Sequence, residues 1–419
     1  MNVLILGASA RAAAHSALRA GLSPFAIDLF GDLDLRAVSP AVRVAAEEYP
    51  EALFRAADAL PPCPWLYTGG LENRPDLVDA LAARRPLWGV SGESLRGVRD
   101  PLAVSRALLA AGLLAPAVSL DPPSEPGNVV WLEKPLGSSG GTGIRAVSTI
   151  DARQGRSVLH IAGDPADDRR SGNSTSQTDR PDVARRTERT QPSYYQQWVA
   201  GDPASAVFLG DGSTAILAGV TRQLVGRPGA EFGYRGTIAP WPVSTATACQ
   251  IDAVGRTLAR GFGLAGLFGV DLILDAEGQP WTIEVNPRYT ASVEILEFSR
   301  GTPWLTAHRK ACEGRPVETW QGTSRDEGLV AKEIVYATGP VIFRAGPEDM
   351  AHLLARRGPF ELPAAADIPE DGCRFETGDP VATVFGRGAT VGGCLDRLDA
   401  AARDLRRHLL PDSREETGS

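Results

Sequence analysis

A chain of 419 residues, 43% hydrophobic and 22% charged, is long enough for two or three domains with a sizeable core and too apolar for wholesale disorder. Its 43 basic and 51 acidic residues leave a formal charge of -8, which gives no overall basic footprint for nucleic acid or an anionic membrane. No apolar stretch approaches the roughly 20 residues that cross a bilayer, the first residues lack the pattern of a secretory leader, and five scattered cysteines form neither a disulfide framework nor a zinc spacing. A cytoplasmic protein with no nucleic-acid and no membrane partner is expected.

Val3–Leu6 reads as a buried strand that enters a helix through the small-residue turn Gly7-Ala8-Ser9-Ala10-Arg11, with Gly21 as the stop and Pro24–Leu29 as the next strand. Strand and helix signals alternate again at Trp65–Thr68, Leu77–Ala83 and Leu87–Val90. Residues 1–115 are therefore expected to form an α/β domain on a parallel sheet. The turn at Gly7 lacks the spaced glycines of a dinucleotide fingerprint, so NAD is not expected. Asp28, Asp32 and Asp34, and Gly69, Gly70, Glu72 and Asn73, follow strands, where parallel sheets open their ligand clefts. They are candidates for substrate contact or simply solvated turns.

A helix after Pro101 ends near Gly112 and leads into a connector with Pro116, Pro122, Pro123 and Pro126, a domain boundary. Residues 116–322 form the expected central module. In it Val129–Lys134 and Ile144–Val147 are strands flanking the compact loop from Pro135 to Gly143. Residues 161–190 are rich in Asp, Arg, Ser and Thr and supply little core, so they read as a polar insertion, either an exposed loop or a lid ordered by ligand. Short strands resume at Tyr194–Val199, Ala204–Leu209 and Ala215–Thr221.

Gly266–Leu274 and Pro280–Val285 form the sharpest hairpin, with Asp271 opposite Glu284, and with Glu284 and Asn286 on one face. Three oxygen ligands of the hard type that magnesium prefers converge there. Beyond Gly322, residues 323–410 read as a small β-rich domain with strands at Val330–Tyr336, Val341–Phe343, Phe360–Pro363 and Val381–Phe385 and a closing helix over Leu395–Leu409. Residues 411–419 form a flexible tail.

Lys134, one of only three lysines, opens the run Lys134-Pro135-Leu136-Gly137-Ser138-Ser139-Gly140-Gly141-Thr142-Gly143. A cation, small residues and hydroxyl donors in one loop suit phosphate groups, though a glycine-rich loop alone is not specific. Taken with Asp271 and the run Glu284-Val285-Asn286-Pro287-Arg288, this resembles the ATP-grasp ligase family, in particular its carboxylate-amine ligase and carboxylase-related branch. The resemblance covers roughly residues 1–300.

It implies an N-terminal parallel α/β pre-ATP-grasp domain, a two-lobed α+β ATP-grasp module and a small β-rich C-terminal domain. It further implies ATP with Mg2+, or Mn2+ in its place, as cofactors. Lys134 would contact the phosphates, Ser139 and Gly140, Gly141, Thr142 and Gly143 would cover them, and Asp271, Glu284 and Asn286 would hold the metal. Gln196, Gln197, Trp198 and Val199 match the connector beside adenine, with Gln196 where the family commonly has an acid and Trp198 and Val199 as an apolar wall. Arg99 stands where a phosphate-binding lysine is usual, and Arg288 would hold the transferred phosphoryl group or a substrate carboxylate. Arg222 and Arg235 are weaker candidates for the same cleft.

The implied reaction joins a small-molecule carboxylate to an amine through an acyl phosphate, with a possible place in cofactor biosynthesis and a homodimer as the expected assembly. A small-molecule kinase, a biotin-dependent carboxylase-like enzyme and a non-catalytic nucleotide sensor are the competing readings.

Overall fold

The computed structural model describes residues 1–123, 129–138, 140–147, 192–317, 328–355 and 357–410. The polar insertion at 161–190, the tail at 411–419 and Ser139 lie outside the described residues. Val3 to Leu6 are completely buried, as a strand covered on both faces requires. They lie in β1 (Asn2–Leu6), followed by α1 (Arg11–Arg19), β2 (Ser23–Asp28), α2 (Leu33–Arg36), β3 (Ala41–Arg43), α3 (Glu51–Ala57), β4 (Trp65–Tyr67) and α4 (Pro75–Ala82). The four strands pair in parallel in the order β3-β2-β1-β4. The strand expected at Leu87–Val90 is reduced to a single bridge between Leu87 and Trp65, because the chain turns at Ser91 into the next helix.

That helix is α5 (Gly92–Val98), started by the Ser91 side chain, which accepts from the backbone N–H of Ser94. Arg99 ends it, and Asp100 starts α6 (Pro101–Ala110) by accepting from the N–H groups of Leu102 and Ala103. Arg99 is thus fixed at a corner between two helices. The central module begins with a small lobe whose strands are β5 (Val118–Ser119), β6 (Trp131–Pro135), β7 (Arg145–Val147) and β8 (Ser193–Gln197). They form an antiparallel sheet in the order β5-β8-β6-β7.

The large lobe follows with β9 (Asp202–Asp211), β10 (Ala215–Arg227), β11 (Ala230–Ala239), α7 (Thr245–Phe262), β12 (Ala265–Leu274), β13 (Pro280–Asn286), α8 (Ala291–Arg300) and α9 (Trp304–Cys312). α7 buries Ile251, Val254 and Leu258, one stripe at helical spacing, and ends at Gly263, whose φ of 65° is the left-handed cap glycine allows at no cost. The last segment contributes β14 (Leu329–Tyr336), β15 (Val341–Ile342), α10 (Pro347–Leu353), β16 (Arg374–Phe375), β17 (Pro380–Gly388) and α11 (Val391–Leu409).

β14 pairs with β11 and β17 with β14, giving one antiparallel sheet in the order β13-β12-β9-β10-β11-β14-β17. The architecture is the three-domain one expected, with the third domain grown directly onto the sheet of the second. Phe360–Pro363 is irregular and adds no strand, and α11 starts at Val391, four residues before the expected Leu395, because Thr390 caps it by accepting from the N–H of Gly393. Core packing also crosses the boundaries: Leu4, Trp65 and Leu95 of the first domain belong to one buried cluster with Phe208, Leu258 and Phe268 of the large lobe.

Candidate functional site

The site is built on the β12–β13 hairpin. Strict pairing outward from Leu274 and Pro280 would set Asp271 against Ile283. A bulge intervenes, so Leu272 pairs with Thr282 and Asp271 with Glu284, which turns the two carboxylates toward one another across the strands. Asn286 follows two residues on, and its amide donates to Asp271 Oδ2 at 3.0 Å. Gln223 of β10 donates to Asp271 Oδ1 at 2.8 Å. Burial, then the nearby Glu284 charge, pushes the Asp271 carboxyl up to about 6. Burial acts on Glu284 in the same sense, but the Arg99 and Lys134 cations override it and hold that carboxyl below its ordinary value.

Arg99 reaches Glu284 Oε1 at 2.7 Å and the Val285 carbonyl at 3.2 Å from its α5–α6 corner. Its other nitrogen donates to Asn73 Oδ1 at 3.1 Å and to the Ser138 carbonyl at 3.4 Å. One side chain therefore ties the first domain, the small lobe and the hairpin together. Lys134, at the end of β6, is buried, donates to Gln196 Oε1 at 3.0 Å, and lies 5.6 Å from the centre of the Tyr194 ring. Gln196 in turn donates to the Ile283 carbonyl at 3.0 Å, which ties β8 to the bulge.

Between the lobes lies a cavity open to solvent. Arg99, Lys134, Ser138, Gly141, Gln196 and Glu284 supply its polar lining, and Val98, Val104, Ala115, Val118, Ile144, Tyr194 and Val285 much of its apolar wall. A few polar groups converging on an apolar wall have the character of a small-molecule site. Gln197, Trp198 and Val199 do not line it; Trp198 is 47% exposed, and the apolar wall comes from α5, α6 and the small lobe instead. The backbone N–H groups of Gln197 and Trp198 bond the carbonyls of Ala117 and Val130.

Gly140, Gly141 and Gly143 have φ values of 64°, 75° and 77°, a run of left-handed positions that only glycine takes without strain. A Cβ on Gly141 would lie 2.0 Å from the Phe232 carbonyl oxygen, so the loop sits directly on the β10–β11 hairpin. Arg288 donates to Glu72 Oε1 at 2.7 Å and to Asn286 Oδ1 at 3.3 Å, bridging the first domain to the carboxylate pair. Gln223 and Tyr194 were not anticipated as site residues. Gln223 lies on a strand that β9 separates from β12, so nothing local in the sequence marks it.

The loop after β2 behaves differently from the expectation of substrate contact. Asp28 accepts from the N–H groups of Ala10 and Gly31, and Asp34 from those of Asp367 and Ile368, so both carboxylates are spent on holding backbone. Arg222 pairs with Asp202 at 3.1 Å and Arg235 with Glu333 at 2.9 Å, and neither lines the cavity. Among the described residues no group of three or more His, Cys, Asp or Glu gathers as a metal site. The expected set is two carboxylates and an amide. Their hard oxygens fit a magnesium-type ion, and a bound cation would offset both the burial and, after it, the Glu284 charge that raise Asp271.

Residues 169–292 match the family described as an ATP-grasp domain. The fold is shared with the biotin carboxylase domain of Hydrogenobacter thermophilus 2-oxoglutarate carboxylase, solved with MgADP and bicarbonate, at a TM-score of 0.68 and 13% identity over 97% of this chain and 90% of that one. It is shared too with Thermus thermophilus N5-carboxyaminoimidazole ribonucleotide synthetase, at a TM-score of 0.60 and 16% identity over 97% and 98%. Residues 169–292 thus carry the match to an ATP-grasp domain, and the chain as a whole shares the fold of these two enzymes.

In sequence it is 27% identical over 180 residues to a formate-dependent phosphoribosylglycinamide formyltransferase of Stenotrophomonas maltophilia, a match that spans 41% of this chain and 39% of that protein. An uncharacterised protein of Methanocaldococcus jannaschii is 23% identical over 199 residues, 47% of this chain and 43% of its own length. The chain thus spans less than half the length of these relatives. No helix among the described residues is long and apolar enough to cross a membrane.

Proposed function

We propose that this protein is an ATP-dependent ligase that activates a small-molecule carboxylate as an acyl phosphate for attack by an amine. The observation that carries the reading is the convergence of Lys134, Arg99, Gln196 and Glu284 on one interlobe cavity, with Asp271 held across from Glu284. Two cations on the wall of one cleft favour phosphates, because a partly desolvated charge interacts far more strongly than one in water.

In this reading Lys134 holds the phosphates, its ammonium oriented by Gln196. The backbone of Gly140 to Gly143, with Ser139 and the Thr142 hydroxyl, covers them. Gln196, Gln197, Trp198 and Val199 remain the proposed adenine side on resemblance alone. Mg2+, or Mn2+ in its place, would be held by Asp271, Glu284 and Asn286 and would supply positive charge at the phosphate oxygens when bound. Arg99 neutralises Glu284 in the structure and is placed to turn one nitrogen to phosphate, since a guanidinium offers several directed donors. Arg288, oriented by Glu72 and Asn286, would hold the phosphoryl group or the substrate carboxylate.

A carboxylate oxygen attacks the terminal phosphorus and ADP leaves. The amine nitrogen then attacks the acyl carbon, the carbon–oxygen bond to phosphate breaks, and the amine gives up a proton. Relatives named for formyl and carboxy transfer support carboxyl chemistry over transfer of phosphate to a stable product.

The test is ADP release with Mg2+ across paired carboxylates and amines, including amino-bearing cofactor precursors, followed by product mass. ADP formation that needs both partners, with a product equal to their sum less water, is expected. A stable phosphorylated product would make the protein a kinase, and ATP binding without turnover in any pairing would make it a sensor.

A further inference from the structure

The glycine loop is seated by contacts that the phosphate chemistry does not require. The Gly140 carbonyl accepts from the N–H of Tyr234 at 3.1 Å, and Gly141 lies against the Phe232 carbonyl with no room for a side chain. Beside them the guanidinium of Arg227, the last residue of β10, donates to Thr142 Oγ1 at 3.2 Å. Arg227 reaches this hydroxyl by lying across Gly233, where an added Cβ would fall 2.6 Å from its Cγ and 2.7 Å from its Nε. The same guanidinium stands 5.4 Å from the centre of the Tyr336 ring, and the Tyr336 hydroxyl donates to the Tyr234 carbonyl at 3.0 Å. Tyr336 ends β14, the first strand of the third domain.

Loop, hairpin and third domain therefore meet on one side chain. Only glycine at 233 leaves its path open, and the aromatic face behind it fixes its plane, a favourable arrangement for a cation over a ring. We propose that Arg227 is a positioning residue that clasps the glycine loop closed over the interlobe cavity, with Tyr336 setting its pose. Gly141 of this loop lines the same cavity as Lys134, so the clasp governs how phosphates are held and leaves the adenine side untouched. It gives the third domain a direct hand in nucleotide binding. This inference rests on the nucleotide reading of the cavity, and its test separates the two.

Three folded variants are compared with the wild type: Arg227→Ala, which removes the clasp; Gly233→Ala, which displaces the arginine while keeping its charge; and Arg227→Lys. Amide hydrogen exchange over residues 140–147 is measured without nucleotide, and binding of ATP and of adenosine is measured by calorimetry with Mg2+. Arg227→Ala and Gly233→Ala should speed exchange in the loop and weaken ATP by about tenfold, the size of one lost charge-assisted hydrogen bond, and leave adenosine unchanged. Arg227→Lys should recover part of the ATP affinity. Unchanged loop exchange in both of the first two variants, or equal losses for ATP and adenosine, would overturn the clasp. Faster exchange in the variants of a protein whose wild type binds no ATP would leave the clasp standing and remove the nucleotide reading instead.

Discussion

Lys134 is the only one of the chain's three lysines on the cavity wall, and its ammonium is tied to Gln196 away from bulk water. Replacing it by methionine keeps the apolar stem and removes the charge. Lys134→Met is expected to weaken ATP roughly tenfold to a hundredfold, the range of a hydrogen bond to a charged group, while adenosine binding changes little. Calorimetry with both ligands checks this; equal losses would mean that the pocket itself had been disturbed. Lys134, Asp271, Glu284 and Asn286 were legible in the sequence because each sits in a short run of distinctive residues. Gln223, which grips Asp271, and Tyr194, which flanks Lys134, were not, because their roles arise from strands brought together only by the fold. Trp198 was expected on an apolar wall from the run around it, yet it is 47% exposed and does not line the cavity.

At the scale of elements, the β12–β13 hairpin could be read because two apolar strands flank an obvious turn, yet the bulge at Ile283 that brings Glu284 opposite Asp271 leaves no mark in the pattern. α9 illustrates a device that the sequence hid completely. His308 on that helix accepts from the N–H of Leu267 through Nδ1 at 2.7 Å, so its proton resides on Nε2, 3.1 Å from the Trp88 carbonyl. The ring joins β12 to the first domain in its neutral form. Burial drives its pKa down to about 4 from an ordinary 6.5.

Between those values the unfolded chain binds more protons at this histidine than the native one. Its contribution is therefore complete above pH 6.5 and is lost as pH falls toward 4. From pH 7.5 to 5.5 it should cost the native state about 1.4 kcal/mol. Denaturation of wild type and His308→Asn at the two pH values isolates this share: the variant should be less stable at pH 7.5 and show a smaller loss on acidification. An identical pH dependence in both would assign the effect to other groups.

At the scale of the whole molecule, the third domain shares its sheet with the second and is bound to the first through charge. Glu294 of α8 is completely buried between Arg11 of α1 and Lys332 of β14. Burial would raise its carboxyl, but Arg11 and then Lys332 hold it well below the usual carboxylate range. Arg11 also pairs with Asp367 at 2.9 Å, and Asp34 of α2 grips the backbone of that same loop. Glu294→Gln leaves two buried cations short of a counter-charge and is expected to cost about 3–5 kcal/mol in urea denaturation, against well under 1 for an exposed pair.

A change within the exposed range would show that the cluster is not what joins the domains. None of this was legible, since its members come from residues 11, 34, 294, 332 and 367, and no spacing in the chain foretells such a meeting. For the same reason the sequence separated residues 323–410 as a domain without showing that β14 would continue the sheet from β11.

The central proposal is a cavity that binds ATP together with a metal held by Asp271 and Glu284. Titration of ATP into wild type and Glu284→Gln, with and without Mg2+, tests this most directly, because the substitution removes one charge with almost no change in volume. The wild type should bind ATP more tightly with Mg2+ than without it, and the variant should lose most of that dependence while retaining its fold. Equal Mg2+ dependence in the two proteins, or a wild type that binds no ATP, would contradict the account.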